Sequence, residues 1–266
     1  MDEPDFKLPL GVLVLVVLGA AGWYFWDDIF APPEPETPPS QPAPAQPAAD
    51  AGPRNPVPES EGLRTPEGEL VPLPPLDDSD SYFLIEVANA FGDAVEELLV
   101  REDVIDRLVT SIDNLPRDAI PDRIRPVGTL DESFKPDQGE GDRLLLGITS
   151  YARYDALVAY IYYADIDKVY DIYQRFYPLF QTAYERLGYP DAYFNDRLIE
   201  VIDHLLATPM PAGPLELRRP NVLYEFADPG LESLSSGQKL LLRMGPDNAA
   251  TLKRKLEKFR ARLVQG

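Results

Sequence analysis

The chain has no cysteine and a single histidine, His204, among its 266 residues. The absence of cysteine excludes disulfides, thiolate metal sites and cysteine nucleophiles. One histidine is too few for the familiar two-histidine zinc motifs and leaves little material for a nucleophile triad. The phosphate-binding loops GxxxxGK[ST] and GxGxxG and the GxSxG elbow are also missing. We therefore expect no cofactor, no metal and no assigned catalytic residue, and favour a protein that is not an enzyme.

Basic residues are few, since 25 Lys and Arg face 45 Asp and Glu and give a formal charge of -20. Nucleic-acid binding needs clustered Lys and Arg, so we expect no nucleic-acid partner. Residues 239–266 are the exception, because eight basic residues face two acidic ones there and leave the rest of the chain at -26. This basic C-terminal helix could meet an acidic partner or, as we favour, the protein's own acidic body.

An uncharged apolar run from Leu8 to Trp26 predicts a transmembrane helix. Its 19 residues span about 28 Å at ~1.5 Å per residue, close to the thickness of a bilayer's hydrocarbon core. Aromatic residues 23–26 end the run, as is typical of the membrane interface. A cleaved signal peptide is the alternative, but the acidic residues before the run and the poor cleavage site argue against it. We therefore assign residues 1–30 to an N-terminal membrane anchor.

The charges beside the run predict its orientation. Lys7 and the amino terminus precede it, whereas Asp27 and Asp28 follow it. Because positive charge is retained on the cytoplasmic side, the N-terminus is expected inside and the C-terminus outside. In a Gram-negative bacterium, this predicts a single-pass inner-membrane protein with a periplasmic domain.

Residues 31–76 are predicted to form a disordered, proline-rich linker. The range 31–75 holds 15 of the chain's 29 prolines and shows no apolar periodicity. Such a segment buries too little apolar surface to offset the entropy lost on ordering. We favour a spacer between the membrane and the domain, and the alternative is a ligand for proline-binding modules.

Apolar periodicity begins near Asp77, so residues 77–266 are assigned to a soluble domain that is mainly helical, with short β-hairpins possible. Helices are predicted near 81–91, 102–115, 151–163, 166–187, from 191 or 195 to 206, 229–234, 237–243 and 247–264, with a turn over 94–99. Pro178 is expected to interrupt or kink the fourth of these. Turn-rich sequence predicts one hairpin that pairs 134–135 with 143–146 and another that pairs 215–217 with 222–226.

The stretch after Tyr193 places several polar residues on one predicted helix. Asp196, Glu200 and His204 recur every four residues and therefore share a face. Two carboxylates and an imidazole could hold a divalent cation or act as an acid–base pair. The alternative is a polar face with internal hydrogen bonds, on which Arg197 pairs with a carboxylate. The candidate polar site comprises Asn195, Asp196, Arg197, Glu200, Asp203 and His204.

Tyrosine is concentrated in one part of the chain, where 11 of the 14 lie between Tyr151 and Tyr193. Tyrosine rings stack on sugars and peptides, and their hydroxyls form hydrogen bonds. The candidate aromatic binding surface comprises Tyr160, Tyr162, Tyr163 and Tyr193. The alternative is packing, because the tyrosines of the helix over 166–187 fall on its apolar stripe.

Four segments of the chain resemble one known family. They read PLPPLDDSD, SIDNLPR, RFYPLFQTAYERLGYPDAYFNDRLIEVIDHLLATPMPAGP and LYEFADPGLESLSSGQKLLLRMGPDNAATLKRKLEK. The likeness is to the uncharacterised proteobacterial family called domain of unknown function 3014, and it covers roughly residues 70–262. The resemblance implies a bacterial envelope protein with an N-terminal span and a proline-rich linker. It implies no activity, catalytic residue or cofactor.

Two functional hypotheses follow from the sequence. The first is a non-enzymatic interaction or scaffold protein of the cell envelope, anchored in the inner membrane through residues 8–26 and bound to another envelope protein. The second is a peptidoglycan-binding module or hydrolase that uses the helix face of Asp196, Glu200, Asp203 and His204. We favour the first because no familiar catalytic motif is present.

The predicted orientation can be tested with C-terminal fusions of the full chain. We expect alkaline phosphatase fused after residue 266 to be active and green fluorescent protein to remain dark, because only the former folds in the periplasm. A fluorescent fusion with an inactive phosphatase would reverse the orientation.

Overall fold

A computed structural model describes residues 52–64, 68–92, 99–118, 126, 134–220 and 223–266. These residues are mainly helical with small antiparallel sheets, in agreement with the predicted fold class. The predicted membrane helix over 8–26 and the linker up to residue 51 lie outside them, as does most of the predicted turn over 94–99. Within the described ranges, no helix is long and apolar enough to cross a membrane.

The helices of the described residues are numbered in chain order. They are α1 Asp80–Phe91, α2 Val104–Asn114, α3 Ile148–Ala152, α4 Asp155–Tyr163, α5 Ile166–Arg186, α6 Phe194–Leu206, α7 Pro229–Glu232, α8 Ser236–Arg243 and α9 Pro246–Gln265. A short 3₁₀ turn, Leu76–Asp78, precedes α1.

Two helices differ from their predictions. The predicted helix over 151–163 is divided into α3 and α4, and Tyr154 is buried in the core at the division. α5 continues through Pro178 without interruption. Pro178 is exposed, so its ring lies on the side of the helix that faces water rather than in the core.

A four-stranded antiparallel sheet joins two distant parts of the chain. Its strands, in spatial order, are β3 Asp137–Gln138, β4 Leu144–Leu146, β5 Leu215–Arg218 and β6 Glu225–Phe226. Both predicted hairpins are confirmed, the first with its leading strand three residues later than expected. The pairing of β4 with β5, in which Leu146 faces Leu215, joins the two hairpins into one sheet.

The helices enclose a core rich in aromatic residues. Tyr173 of α5 is fully buried, and its ring lies 5.5 Å from Phe180 and 5.9 Å from Phe259 of α9. Phe194 begins α6 and stacks on Phe180, with ring centroids 5.8 Å apart and planes 5° from parallel. These contacts hold α5, α6 and α9 together.

The sheet has a smaller core of its own. Leu146, Leu217 and Phe226 pack with Leu242 of α8. The guanidinium of Arg243, which is also buried, lies 5.0 Å from the centre of the Phe226 ring. A cation over an aromatic face is attracted by the ring's negative charge, so Arg243 contributes to the attachment of α8 to the sheet.

The range predicted as a disordered linker requires a correction at its C-terminal end. Residues 52–64 and 68–76 lie beside the helical domain and include a small hairpin, β1 Leu63–Arg64 with β2 Leu70–Val71. Arg54–Ser60, here called the strap, crosses α5 and α6, and Val57 packs against the main core. Composition does not predict this docking because it depends on partners far along the chain. For residues 31–51 the linker remains a prediction.

Phe194→Ala is expected to lower the free energy of unfolding by about 3–5 kcal/mol, because it removes a fully buried ring and leaves a cavity. Tyr163→Ala is the matched control, because its ring is 68% exposed and its loss should change stability by less than about 0.5 kcal/mol. Urea unfolding followed by circular dichroism measures both. Equal effects would contradict the assigned core.

Candidate functional site

α6 carries all six residues of the candidate polar site, and its start is fixed by a side chain of α5. The Gln181 Oε1 atom accepts a hydrogen bond from the backbone N–H of Phe194 at 2.8 Å, while Gln181 Nε2 donates to the carbonyl of Ala192 at 2.8 Å. Gln181 thus takes the place of a local N-cap, which Tyr193 does not supply. Gln181 therefore positions the start of α6 without using any residue of the candidate polar site.

Asp196 binds the strap. Its carboxylate accepts hydrogen bonds from the backbone N–H groups of Arg54 at 2.9 Å and Asn55 at 3.0 Å. It also accepts one from Asn55 Nδ2 at 2.8 Å. The Asp196 side chain is only 11% exposed. Three donors from two consecutive residues therefore surround a carboxylate that has little access to water.

Asn195 joins the strap to the core. Its Oδ1 accepts from the Tyr173 hydroxyl at 3.0 Å, and its Nδ2 donates to the carbonyl oxygen of Asn55 at 2.8 Å and to that of Leu263 at 3.3 Å. Asn195 is fully buried. Because both ends of its amide are bonded, its orientation is fixed by the fold.

Arg197 points to a different partner, Asp113 of α2. Its Nε donates to Asp113 Oδ1 at 2.8 Å, and another guanidinium nitrogen donates to the Asp113 carbonyl at 3.0 Å. Arg117 donates to the second carboxylate oxygen of Asp113 at 2.7 Å. The Asp113 side chain is 3% exposed. This ion cluster, whose carboxylate is buried, connects α2 with α6.

Glu200 and Asp203 are half-exposed and pair with separate cations. Glu200 accepts from Arg54 at 2.6 Å and lies 3.5 Å from Arg197. Asp203 forms a two-pronged pair with Arg260 of α9. Exposed pairs of this kind contribute about 0–1 kcal/mol each.

His204 connects α6 with α8. Its Nε2 lies 2.8 Å from Ser235 Oγ, and the same hydroxyl accepts from the backbone N–H of Gln238 at 3.3 Å, as the N-cap of α8. Gln238 in turn donates to the His204 carbonyl at 3.2 Å. Burial, and then the charge of Arg197, lower the pKa of His204.

The six residues therefore share a helix but not a common centre. Arg54 brings Asp196 and Glu200 together, whereas Asp203 and His204 turn to α9 and to the start of α8. In the part of the chain that the structure describes, no three His, Asp or Glu side chains are grouped so as to hold a metal ion. The polar residues of α6 therefore form structural contacts within the chain, and Asp196 and Glu200 also bind the strap.

The four candidate tyrosines are divided between two regions. Tyr162 and Tyr163 end α4, are 59% and 68% exposed, and pack edge to face with ring centroids 5.1 Å apart. Tyr160 is half-buried against the core, and Tyr193 is half-buried before α6. Exposed aromatic surface is thus offered by the Tyr162–Tyr163 pair.

The basic C-terminal helix docks on its own domain, as the sequence favoured. Lys253 Nζ donates to the carbonyl of Thr208 at 2.7 Å, and Lys255 Nζ donates to that of Ala164 at 2.7 Å. Arg262 lies 3.0 Å from Asp167 of α5. Together with the Arg260 pair, these contacts use much of the positive charge of α9 within the chain.

A cleft beside α1 combines acidic and apolar side chains. Its lining consists of Asp77, Asp78, Asp80, Ser81, Leu84, Ile85 and Arg101. Two of these carboxylates already have partners. Asp80 accepts the backbone N–H groups of Asp103 and Val104 at 2.8 and 2.9 Å, and Asp77 pairs with Arg186 at 2.5 Å.

The residues that sequence reasoning missed are those that reach α6 from elsewhere. Asp113 and Ser235 have no pattern that connects them to α6. For Arg54 the sequence does contain a signal, because Arg54 is the only basic residue between 31 and 63. A single cation in a proline-rich acidic segment is a candidate for pairing with the acidic domain.

Comparison with known proteins gives one family. The family profile described as "Protein of unknown function (DUF3014)" matches residues 104–260, which confirms the resemblance over that range. No curated protein and no solved structure matches the chain. The match includes α2 through most of α9, whereas the strap lies before it.

His204→Gln is expected to reduce the loss of stability at acidic pH. The folded-state pKa lies below the ordinary value of 6.5, so the unfolded chain takes up a proton that the folded chain still excludes. The contribution of His204 to the free energy of unfolding is therefore fully present above about pH 6.5 and is lost as the pH falls toward the folded-state pKa.

Glutamine can still bond to Ser235 but cannot be protonated. Urea unfolding of both proteins at a series of pH values should show the wild type losing more stability below pH 6.5, by at most about 1.4 kcal/mol per pH unit. Parallel curves would contradict the assignment.

Proposed function

The chain belongs to the DUF3014 family, and we propose that it is an inner-membrane-anchored periplasmic protein whose helical domain serves as a non-enzymatic interaction or scaffold module of the cell envelope. The observation that carries this proposal is the use of α6. The side chains with the best catalytic potential there, Asp196, Glu200, Asp203 and His204, bind other parts of the same chain.

An acid–base mechanism needs a proton-transfer group within reach of a substrate. Asp196 is covered by the strap, and Asp203 is held by Arg260. His204 has its Nε2 on the hydroxyl that caps α8. A substrate would have to displace structural contacts to reach any of the three, and this supports a role in binding rather than in catalysis.

The envelope location rests on the sequence. The apolar run over 8–26 is long enough for one span, the charges beside it favour a periplasmic C-terminus, and the prolines of 31–51 suit a spacer. The acidic domain would be repelled by an anionic lipid surface, which fits a module that works away from the membrane.

Peptidoglycan binding is a second candidate, and the exposed Tyr162–Tyr163 pair favours it. Tyrosine rings at a surface can stack on sugar rings while their hydroxyls bond to sugar or peptide groups. The pair ends α4 and includes none of the polar residues of α6, so this candidate does not require a catalytic site.

Crosslinking in living cells tests the interaction role. With a photoreactive residue in place of Tyr163 in the full chain, we expect one or a few envelope proteins to be captured at defined masses. The same residue in place of Tyr82, which is 46% exposed on α1, is the control for random capture. Identical products from both positions would contradict a specific surface at Tyr163.

Binding to purified sacculi decides between the two candidates. If the protein is an interaction or scaffold module that binds another protein, the full chain remains in the supernatant. Sedimentation that falls at least tenfold in Tyr162→Ala/Tyr163→Ala would favour peptidoglycan binding instead. Release of soluble fragments by the wild type, abolished by Asp196→Asn, would overturn the non-enzymatic assignment.

A further inference from the structure

The strap lies on the domain as an extended peptide lies in a binding groove. From Gly52 to Pro58, exposed and half-buried residues alternate strictly, which is the pattern of an extended chain with one side against a surface. Pro53, Asn55 and Val57 face the domain, while Arg54 and Pro56 face outward. The strap is therefore held along its length, with alternate side chains turned toward the domain.

The groove binds the backbone of the strap through two adjacent residues of α6. Asp196 accepts the N–H groups of Arg54 and Asn55, and Asn195 donates to the carbonyl of Asn55. The two backbone N–H groups of the strap are thus bound by a carboxylate, and its backbone carbonyl is bound by a side-chain amide. Farther along, Ser60 Oγ donates to the Arg175 carbonyl of α5 at 2.5 Å.

Side chains add selectivity to this backbone binding. Arg54 reaches Glu200 at 2.6 Å, and Asn55 Nδ2 adds a third donor to Asp196. Hydrogen bonds to a charged group are roughly twice as strong as neutral ones. An arginine followed by asparagine therefore suits this pair of carboxylates, whereas an acidic residue at either position would be repelled.

The prolines of the strap lower the cost of binding. Pro56 and Pro58 have no N–H that would need a partner, and their φ angles are fixed near the extended conformation. An extended proline-rich segment loses little entropy when it docks. Val57, between them, supplies the apolar contact with the core.

We propose that Asn195, Asp196 and Glu200 form a peptide-binding site for an extended segment of the type Arg-Asn-Pro-x-Pro, occupied in this chain by its own residues 54–58. The inference deepens the proposed function, on which it rests, by naming the chemistry that the interaction module recognises. Occupancy by the strap fixes the point at which the predicted linker leaves the domain. Release would add the seven residues 54–60 to the linker, or roughly 20 Å at ~3.1 Å per residue, because Leu63 is buried in the core.

Trypsin cleavage of the full chain after Arg54 reports whether the strap is docked. The bond to Asn55 is a trypsin site, and the backbone must leave Asp196 before it can enter the protease. We expect slow cleavage in the wild type and cleavage faster by about tenfold or more in Asp196→Ala, which loses three hydrogen bonds. Asp203→Ala is the matched control. It also removes a carboxylate from α6, but that carboxylate pairs with Arg260 and not with the strap.

Asn55→Ala guards against a folding defect in the Asp196 variant, because it leaves the domain unchanged and should still accelerate cleavage several-fold. Equal cleavage rates in the wild type, Asp196→Ala and Asn55→Ala would overturn the docking. A matching acceleration in Asp203→Ala would show a general loosening of α6 and would also overturn it.

Binding in trans tests the site as a recognition site. The full chain with Arg54→Ala/Asn55→Ala keeps the groove and disables its occupant. A peptide with the sequence of residues 52–60, GPRNPVPES, should bind it with a dissociation constant of roughly millimolar or below, because tethering alone supplies an effective concentration of that order. Nuclear magnetic resonance titration measures the binding.

Two controls make the titration decisive. The peptide with alanine at the Arg and Asn positions, and the protein with Asp196→Ala added, should each weaken binding at least tenfold. No chemical-shift change at several millimolar peptide would overturn the recognition site. These outcomes are independent of sacculus binding and of crosslinking at Tyr163, so this inference and the proposed function can fail separately.

Discussion

The buried carboxylate of Asp113 determines how α6 sits in the domain. It receives Arg197 from α6 and Arg117 from the end of its own helix, and its side chain is 3% exposed. Removing such ions from water costs several kcal/mol each, and the cost is offset only when the geometry is good and the remaining donors are satisfied. Arg197 meets this condition by donating to the Asp113 carbonyl as well. A shift of α6 along α2 would withdraw Arg197, which is only 17% exposed, from this carboxylate, and this favours the observed position of the helix.

Once α6 is fixed, its other polar residues can only bind what the neighbouring elements bring to them. The environments of Asp196 and Asp203 show the consequence, since their side chains are 11% and 48% exposed. Water solvates Asp203, so its pair with Arg260 adds little to stability. Asp196 has little water, and a buried acceptor without donors would be costly. The strap supplies those donors, and two of them are backbone N–H groups, which every residue except proline provides.

Periodicity predicted most of the helical structure, because each apolar stripe is a local property of the chain. The long α5 and α9 were correct to within two residues at either end, and both turn-rich hairpins were found. The pairing of β4 with β5 and the docking of the strap were not predicted, since each joins residues more than 60 positions apart. The candidate site shows the same limit. The sequence placed Asp196, Glu200 and His204 on one face, but it could not show that the first two bind the strap while His204 bonds to Ser235.

A tethered ligand can be weak and still occupy its site, and this resolves an apparent conflict in the strap. Its contacts are few for a peptide complex, and Arg54 is 62% exposed. However, residues 61–76 keep the strap next to the groove, so the relevant concentration is of millimolar order rather than that of the protein in the cell. Modest affinity is then enough for docking, and it also leaves the site open to competition. A partner that presents several segments of the same chemistry, or one segment with additional contacts, would displace the strap and lengthen the tether by the same event.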